Sequence, residues 1–244
     1  MKETRRNTAG ILLFRKSPKH PGSNPATKLP QLPGQPPRRC VPALFLLLTA
    51  AASLRAPPVL DAYIIKYKEQ YYKLFHVHYN QYPDDTFENI FWLEQALKAQ
   101  FANPLYALTD IETKEQYEKY CYLFMMHLNI KMTEQYLFLA NKFNKRHAYF
   151  YNAPWKDENI RSLDIAEKYF QAGRHYWAEA LSWAEKAREK RFRFMRLSRV
   201  EFWEDEAFRI IELKTFDYGK TIDRELALLR AVREQYRAME GPVD

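Results

Sequence analysis

The sequence predicts an all-α body, an array of about seven antiparallel helices with paired helices in its C-terminal half. Three observations carry that reading. Between residues 61 and 240 there are only two glycines, Gly173 and Gly219, where a sheet protein of this size needs many more turn residues. Prolines fall at Pro83, Pro104 and Pro154, spaced as punctuation between helices. Apolar side chains recur at helical rather than alternating spacing. Residues 62–244 suffice for one domain or two small packed halves, read as 62–152 and 153–244.

Each element has its own signal. Ile64, Tyr67, Tyr71, Leu74, Phe75 and His78 make a helical stripe over about 63–80. Asp85 with Glu88 has the spacing of a capping box, in which side chains and backbone N–H groups satisfy each other at a helix start. The helix it opens carries Phe87, Ile90, Phe91, Leu97 and Phe101, and Asn103-Pro104 ends it. Thr113 with Gln116 is a second box. It opens a long run through Tyr120, Cys121, Phe124, Leu128 and Met132 to about Phe143. Two helices are expected at about 158–172 and 175–194, separated by a turn at Gly173. Two more are expected near 197–214 and 219–239. Ala180, Ala184 and Ala187 are small enough for a neighbouring helix to approach closely.

Ahead of this body lies a segment of different character. Residues 1–40 hold nine Lys/Arg against one acid, Glu3, while residues 41–244 hold 29 of each sign. The net charge of +8 therefore belongs to the leader, and the body is neutral. Residues 1–39 are basic and Pro-rich, cannot bury a core, and are expected to be disordered. They are too long for an ordinary signal n-region, so the native start is expected near residues 38–41.

The run VPALFLLLTAAASL, residues 41–54, carries no charge. As a helix it rises about 21 Å, short of the roughly 30 Å hydrocarbon core. Residues 40–56 therefore read as a signal peptide, cleaved near Ala50 and Ala52, or as a retained membrane anchor. A short buried helix of the domain is the third reading. The first implies an exported, periplasmic protein, and the second membrane association through 41–54.

The neutral body argues against nucleic acid as partner, despite a pI near 9.3. For metals, His76 and His78 lie about 200° apart around a helix and cannot share an ion. His127, His147 and His175 are isolated in sequence and read as packed or surface residues. The chain has no HExxH, CxxC, GxSxG, P-loop or dinucleotide fingerprint, so no metal, cofactor or catalytic residue is assigned and the chain is read as a non-enzyme. Cys121, between two tyrosines on a helical pattern, reads as buried.

Two stretches remain as candidate partner-binding sites. HAYFYNAPW, residues 147–155, places Tyr149, Phe150, Tyr151 and Trp155 at an interhelical link. Such a link either plugs a gap between helices or presents interface anchors, and the plug is the expectation. Arg188, Arg191 and Arg193 stand in a basic run from Lys186 to Arg199, followed at once by Glu201, Glu204, Asp205 and Glu206. That pattern reads as a solvated helix end facing an acidic neighbour. The alternative is a docking patch for an acidic protein or a lipid headgroup.

WAEALSWAEKARE at 177–189 and FDYGKTIDRELALLRAV at 216–232 have a turn-then-helix form with small residues on the second helix. They resemble tetratricopeptide repeats, which implies stacked helical pairs lining a groove for a partner segment. NIFWLEQALKAQFANPLYAL, with RHAYFYNAPWKDENIRSLDIAEKYF, is similar to periplasmic helical-repeat proteins of spirochaetes, some of which belong to the flagellar motor collar. Together these readings predict an exported helical scaffold or adaptor for protein partners in an envelope-associated assembly. A membrane-anchored regulatory protein with a cytoplasmic basic tail is the second expectation.

Overall fold

The computed structural model describes residues 64–193 and 195–240. The leader, the apolar run and the cleavage candidates Ala50 and Ala52 lie outside the described residues. The described residues form one compact unit. They hold six α-helices: α1 (Lys68–Gln81), α2 (Thr86–Lys98), α3 (Lys114–Phe143), α4 (Lys156–Arg188), α5 (Glu201–Ile211) and α6 (Tyr218–Ala238). Short 3-10 helices occupy three links, at Pro104–Tyr106, Phe150–Trp155 and Lys190–Phe192. None of the described helices is long and apolar enough to cross a membrane.

The helix starts follow their capping chemistry. At α3 the Thr113–Gln116 box is complete. The Gln116 N–H donates to Thr113 Oγ1 at 3.2 Å, and Gln116 Oε1 accepts from the Thr113 N–H at 3.2 Å. At α2 only half the expected box forms. Asp85 Oδ1 accepts from the Glu88 N–H at 3.3 Å, whereas the Asp85 N–H donates to the Tyr82 carbonyl at 3.1 Å. At α6, Asp217 accepts from the Lys220 N–H at 3.2 Å.

One helix, α4, replaces the two expected across residues 158–194. Its buried positions are Leu163, Ala166, Phe170, Gly173, Trp177, Ala180, Ala184 and Ala187. They alternate in steps of three and four, the spacing of a coiled-coil seam. Every seventh residue of that seam, from Ala166 through Gly173 and Ala180 to Ala187, is small. Gly173 is thus a member of the seam and not a turn. An added Cβ there would lie 3.6 Å from Tyr136 Cβ and 3.9 Å from Ile222 Cδ1. Small residues bring α3, α4 and α6 close enough for tertiary contact to override the low helix propensity of glycine. The turn that a tetratricopeptide-like pair requires at Gly173 is absent.

Helices α3 and α4 form a long antiparallel hairpin on which the others pack. Five consecutive residues of α3, from Met126 to Ile130, are buried, so the middle of this helix is covered on all sides. At one end of the hairpin, Tyr72, Phe75, Leu93, Phe124, Trp177 and Trp203 belong to a core drawn from α1 to α5. At the other end, Leu137, Leu163, Phe170, Leu229 and Tyr236 join α3, α4 and α6. Both cores use residues on either side of position 152. Helix α6 runs antiparallel to α4, with Arg233 paired to Asp164 at 2.9 Å and to Glu167 at 2.7 Å.

Four further boundaries differ from expectation. Helix α1 starts at Lys68, leaving Ile64 and Tyr67 ahead of it, and α2 ends at Lys98, short of Phe101 and the Asn103-Pro104 break. Helix α5 starts at Glu201 instead of 197 because Leu197 and Val200 are buried in the preceding link, where Arg199 turns the chain at φ 65°. Helix α4 stops at Arg188 because Phe192 folds back into a 3-10 turn, its ring 5.5 Å from Tyr122.

A continuous α4 makes a signed prediction. A methyl group at position 173 meets only ordinary van der Waals neighbours and gains helix propensity, so Gly173→Ala should stabilise by about 0.5–1 kcal/mol. Gly173→Leu should destabilise by about 1–3 kcal/mol by forcing α3 from α4. Urea unfolding of both variants checks this. A destabilised Ala variant would contradict the continuous helix.

Candidate functional site

The link between α3 and α4 is held from below. The Tyr236 hydroxyl, on the buried side of α6, donates to the His147 carbonyl at 3.3 Å and accepts from Asn152 Nδ2 at 3.2 Å. Lys156 Nζ donates to the Met239 carbonyl at 3.1 Å. Pro154 favours the short 3-10 turn over entry into α4. These bonds fix the backbone while the aromatic rings point outward. Tyr149, Phe150, Tyr151 and Trp155 are 48%, 86%, 57% and 59% exposed. The expected plug is therefore not formed, since the gap is closed by Tyr236 and its neighbours. Tyr149 and Tyr151 stack at 5.2 Å and 6°, with Phe150 edge-on to Tyr151 at 5.5 Å. Pre-stacked, exposed aromatics on a tethered backbone have the chemistry of interface anchors.

The basic run lies at the other end of α4. Arg188 pairs with Glu185 at 2.9 Å and Glu212 at 3.4 Å. Arg191 pairs with Glu118 at 2.7 Å, and Arg193 lies 3.9 Å from Glu212. These arginines do face acids, but not the ones that follow them in sequence. Glu118 and Glu212 meet the arginines, whereas Glu204 pairs with Lys119 and Glu206 with His127. Pairs this exposed contribute roughly 0–1 kcal/mol each. The sequence-identified residues thus form two groups at opposite ends of α4, not one site.

Sequence reasoning missed a buried polar relay. Tyr72 of α1, His127 of α3 and Glu206 of α5 are 55 and 79 positions apart in sequence and meet in line. His127 Nδ1 lies 2.7 Å from Glu206 Oε2, and Nε2 lies 2.7 Å from the Tyr72 hydroxyl. A carboxylate can only accept, so Nδ1 carries the proton and Tyr72 donates to Nε2. Trp203 stacks on the imidazole at 5.1 Å and 29°, and on Phe124 at 5.1 Å and 4°. Burial pushes the imidazole below its ordinary pKa, with Glu206 pulling partly back. Burial, then Glu206, raises the Tyr72 phenol. Tyr72 is itself 5% exposed, so its hydroxyl has no room for a substrate. The relay ties three helices together. No single residue type or spacing announces it.

A second buried brace joins α1 to the α2–α3 link. Glu69 accepts from the Ala102 N–H at 2.9 Å and from the Tyr120 hydroxyl at 3.1 Å. Lys68 Nζ donates to the carbonyls of Ala96 at 3.0 Å and Leu97 at 2.6 Å, at the C-terminus of α2. Burial pushes the nearby Cys121 thiol up to about 12, which keeps it protonated and unreactive. Among the described residues, no three His, Cys, Asp or Glu side chains stand together in a way that could hold a metal ion.

The profile of a domain of unknown function, DUF8513, matches residues 115–239, just over half of the chain. The chain belongs to the DUF8513 family. The match runs from the start of α3 to the end of α6 and omits α1 and α2. No curated protein and no solved structure matches the chain.

The relay predicts how stability varies with pH. His127 is neutral in the fold and titrates near 6.5 when unfolded. Stability should be full above that pH and fall as acidity increases, because the unfolded chain gains a proton the fold excludes. The slope from this group approaches about 1.4 kcal/mol per pH unit. Lys131 nearby reinforces the effect, while Glu206 and Glu134 oppose it. Tyr72→Phe should cost about 1–3 kcal/mol by leaving Nε2 unsatisfied. His127→Gln should flatten the acid slope. Urea midpoints between about pH 7.5 and 5.5 test both.

Proposed function

We propose that this chain is a helical scaffold or adaptor that docks protein partners in an assembly at the cell envelope. The observation that carries the reading is the aromatic cluster at 149–155, exposed on a backbone that Tyr236 and Asn152 hold in place. Large apolar rings in water are unfavourable unless something covers them, and contiguous exposed apolar patches mark contact surfaces. The envelope part of the proposal is supported by the basic leader ahead of the uncharged run at 41–54. Spirochaetal flagellar-collar proteins, which the runs at 89–108 and 146–170 resemble, supply one assembly to examine.

A photo-crosslinking side chain at Phe150 or Trp155, in cells making the protein at native level, tests the reading. One or a few discrete protein partners should be captured from the envelope fraction. Phe150→Ala with Trp155→Ala should abolish co-purification of those partners. It should change stability by less than about 0.5 kcal/mol, because both rings are exposed. Recovery of the chain in the cytosolic fraction without a discrete partner would contradict the proposal.

A further inference from the structure

The C-terminal end of α4, the link after it and α5 enclose a cleft of about 300 Å³ against α3. Leu123, Ala187, Ala207 and Phe208 form an apolar floor. The rim is charged and unbalanced. Lys119, Arg188, Arg193 and Arg196 face Glu204 and Glu212, with Glu185 beside them on Arg188, which leaves an excess of one positive charge. Lys119 is committed within the fold, donating to the Met195 carbonyl at 3.2 Å and pairing with Glu204. Arg188 is held by Glu185 and Glu212, and Arg193, whose side chain is exposed, lies 3.9 Å from Glu212. Arg196 is exposed and has no ion pair among the described residues.

The rim is also pre-organised. Leu197 and Val200 are buried on either side of Arg199, and Thr109 Oγ1 donates to the Ser198 carbonyl. With Lys119 on Met195, these contacts pin the loop that carries Arg196, so binding there has little ordering entropy to overcome. The cavity sits at the small end of the pocket range, roughly 300–1,000 Å³, enough for one or two apolar side chains. Guanidinium groups take carboxylates in a two-pronged fork.

We infer that this cleft docks an acidic segment of a protein partner. An apolar side chain enters between Leu123 and Phe208, and flanking carboxylates meet Arg193 and Arg196. A lipid surface fits less well, because the cleft is concave and its apolar floor is recessed behind the charged rim. The inference rests on the adaptor reading but uses a different surface. The aromatic link and the cleft lie at opposite ends of α4, roughly 50 Å apart along the helix.

The test titrates the full chain with fluorescein-labelled dodecapeptides, read by anisotropy. One has Asp and Glu flanking a central Leu-Phe pair, one replaces the acids with Lys, and one keeps the acids but replaces Leu-Phe with Ser-Ser. The first should bind at least about tenfold more tightly than the others, and more weakly as salt rises. Arg193→Glu with Arg196→Glu should remove that preference while the thermal melt stays unchanged. Three results would each overturn the inference: no saturable binding of the first peptide up to about 1 mM, equal binding of the Ser-Ser peptide, or sedimentation with phosphatidylglycerol vesicles that the double substitution abolishes. Loss of peptide binding with partner capture at Phe150 intact would remove the cleft but not the adaptor reading. The reverse pattern would remove the aromatic surface alone.

Discussion

The close approach of α3 and α4 is the constraint on which the rest of the fold depends. Ala166, Gly173, Ala180 and Ala187 repeat every seventh residue along α4, and a bulky residue at any of them would push the pair apart. Thr133 of α3 uses the contact, its hydroxyl bonded to the Asn129 carbonyl at 2.9 Å and near the Gly173 carbonyl at 3.4 Å. With the spine closed, each end offers a hydrophobic face. The α1–α2 pair and α5 cover one end, and α6 covers the other. The family match begins with α3, so the spine and α6 lie inside it and the α1–α2 hairpin outside.

A helix buried on every side must also satisfy its polar residues. Helix α3 carries Lys119, His127, Asn129, Thr133 and Gln135 in its buried set. Asn129 and Thr133 bond back to carbonyls one turn earlier, a local solution that needs no partner helix. Lys119 and His127 find Glu204 and Glu206 instead, two residues apart on α5. These ionisable pairs set the position of α5 against α3, because a slip along the helix would strand a buried polar group without its partner. Trp203, the residue before the first of these acids, stacks on Phe124 and His127.

Much of this was legible in sequence where the governing interaction is local. The Thr113–Gln116 box and the middle of each helical stripe depend on residues within a turn of one another, and those features formed as expected. What failed to show was tertiary. Gly173 reads as a turn by propensity, yet it lies in a small-residue seam visible only when 166, 173, 180 and 187 are taken together with the helix they pack on. The 147–155 link reads as a plug from its proline and aromatic content, but Tyr236, 84 positions from Asn152, already closes the gap and turns the rings outward. His127 stands alone in sequence and gains its partners only through folding.

The spine has a mechanical consequence for the adaptor reading. Helix α4 is 33 residues long, unbroken, and packed against α3 and α6 through most of its length. Bending it would open the seam at Gly173 and expose the apolar rows on either side, at a free-energy cost far above thermal energy. The aromatic link and the Arg-rimmed cleft therefore sit at the ends of a stiff spacer, not on flexibly joined lobes. Two partners bound there would be held at a fixed separation and would not compete for area. The two surfaces share no residue, so partners bound there would interfere only where they touch each other. On the adaptor reading, such a molecule would act by setting geometry, and the small-residue seam would supply the stiffness.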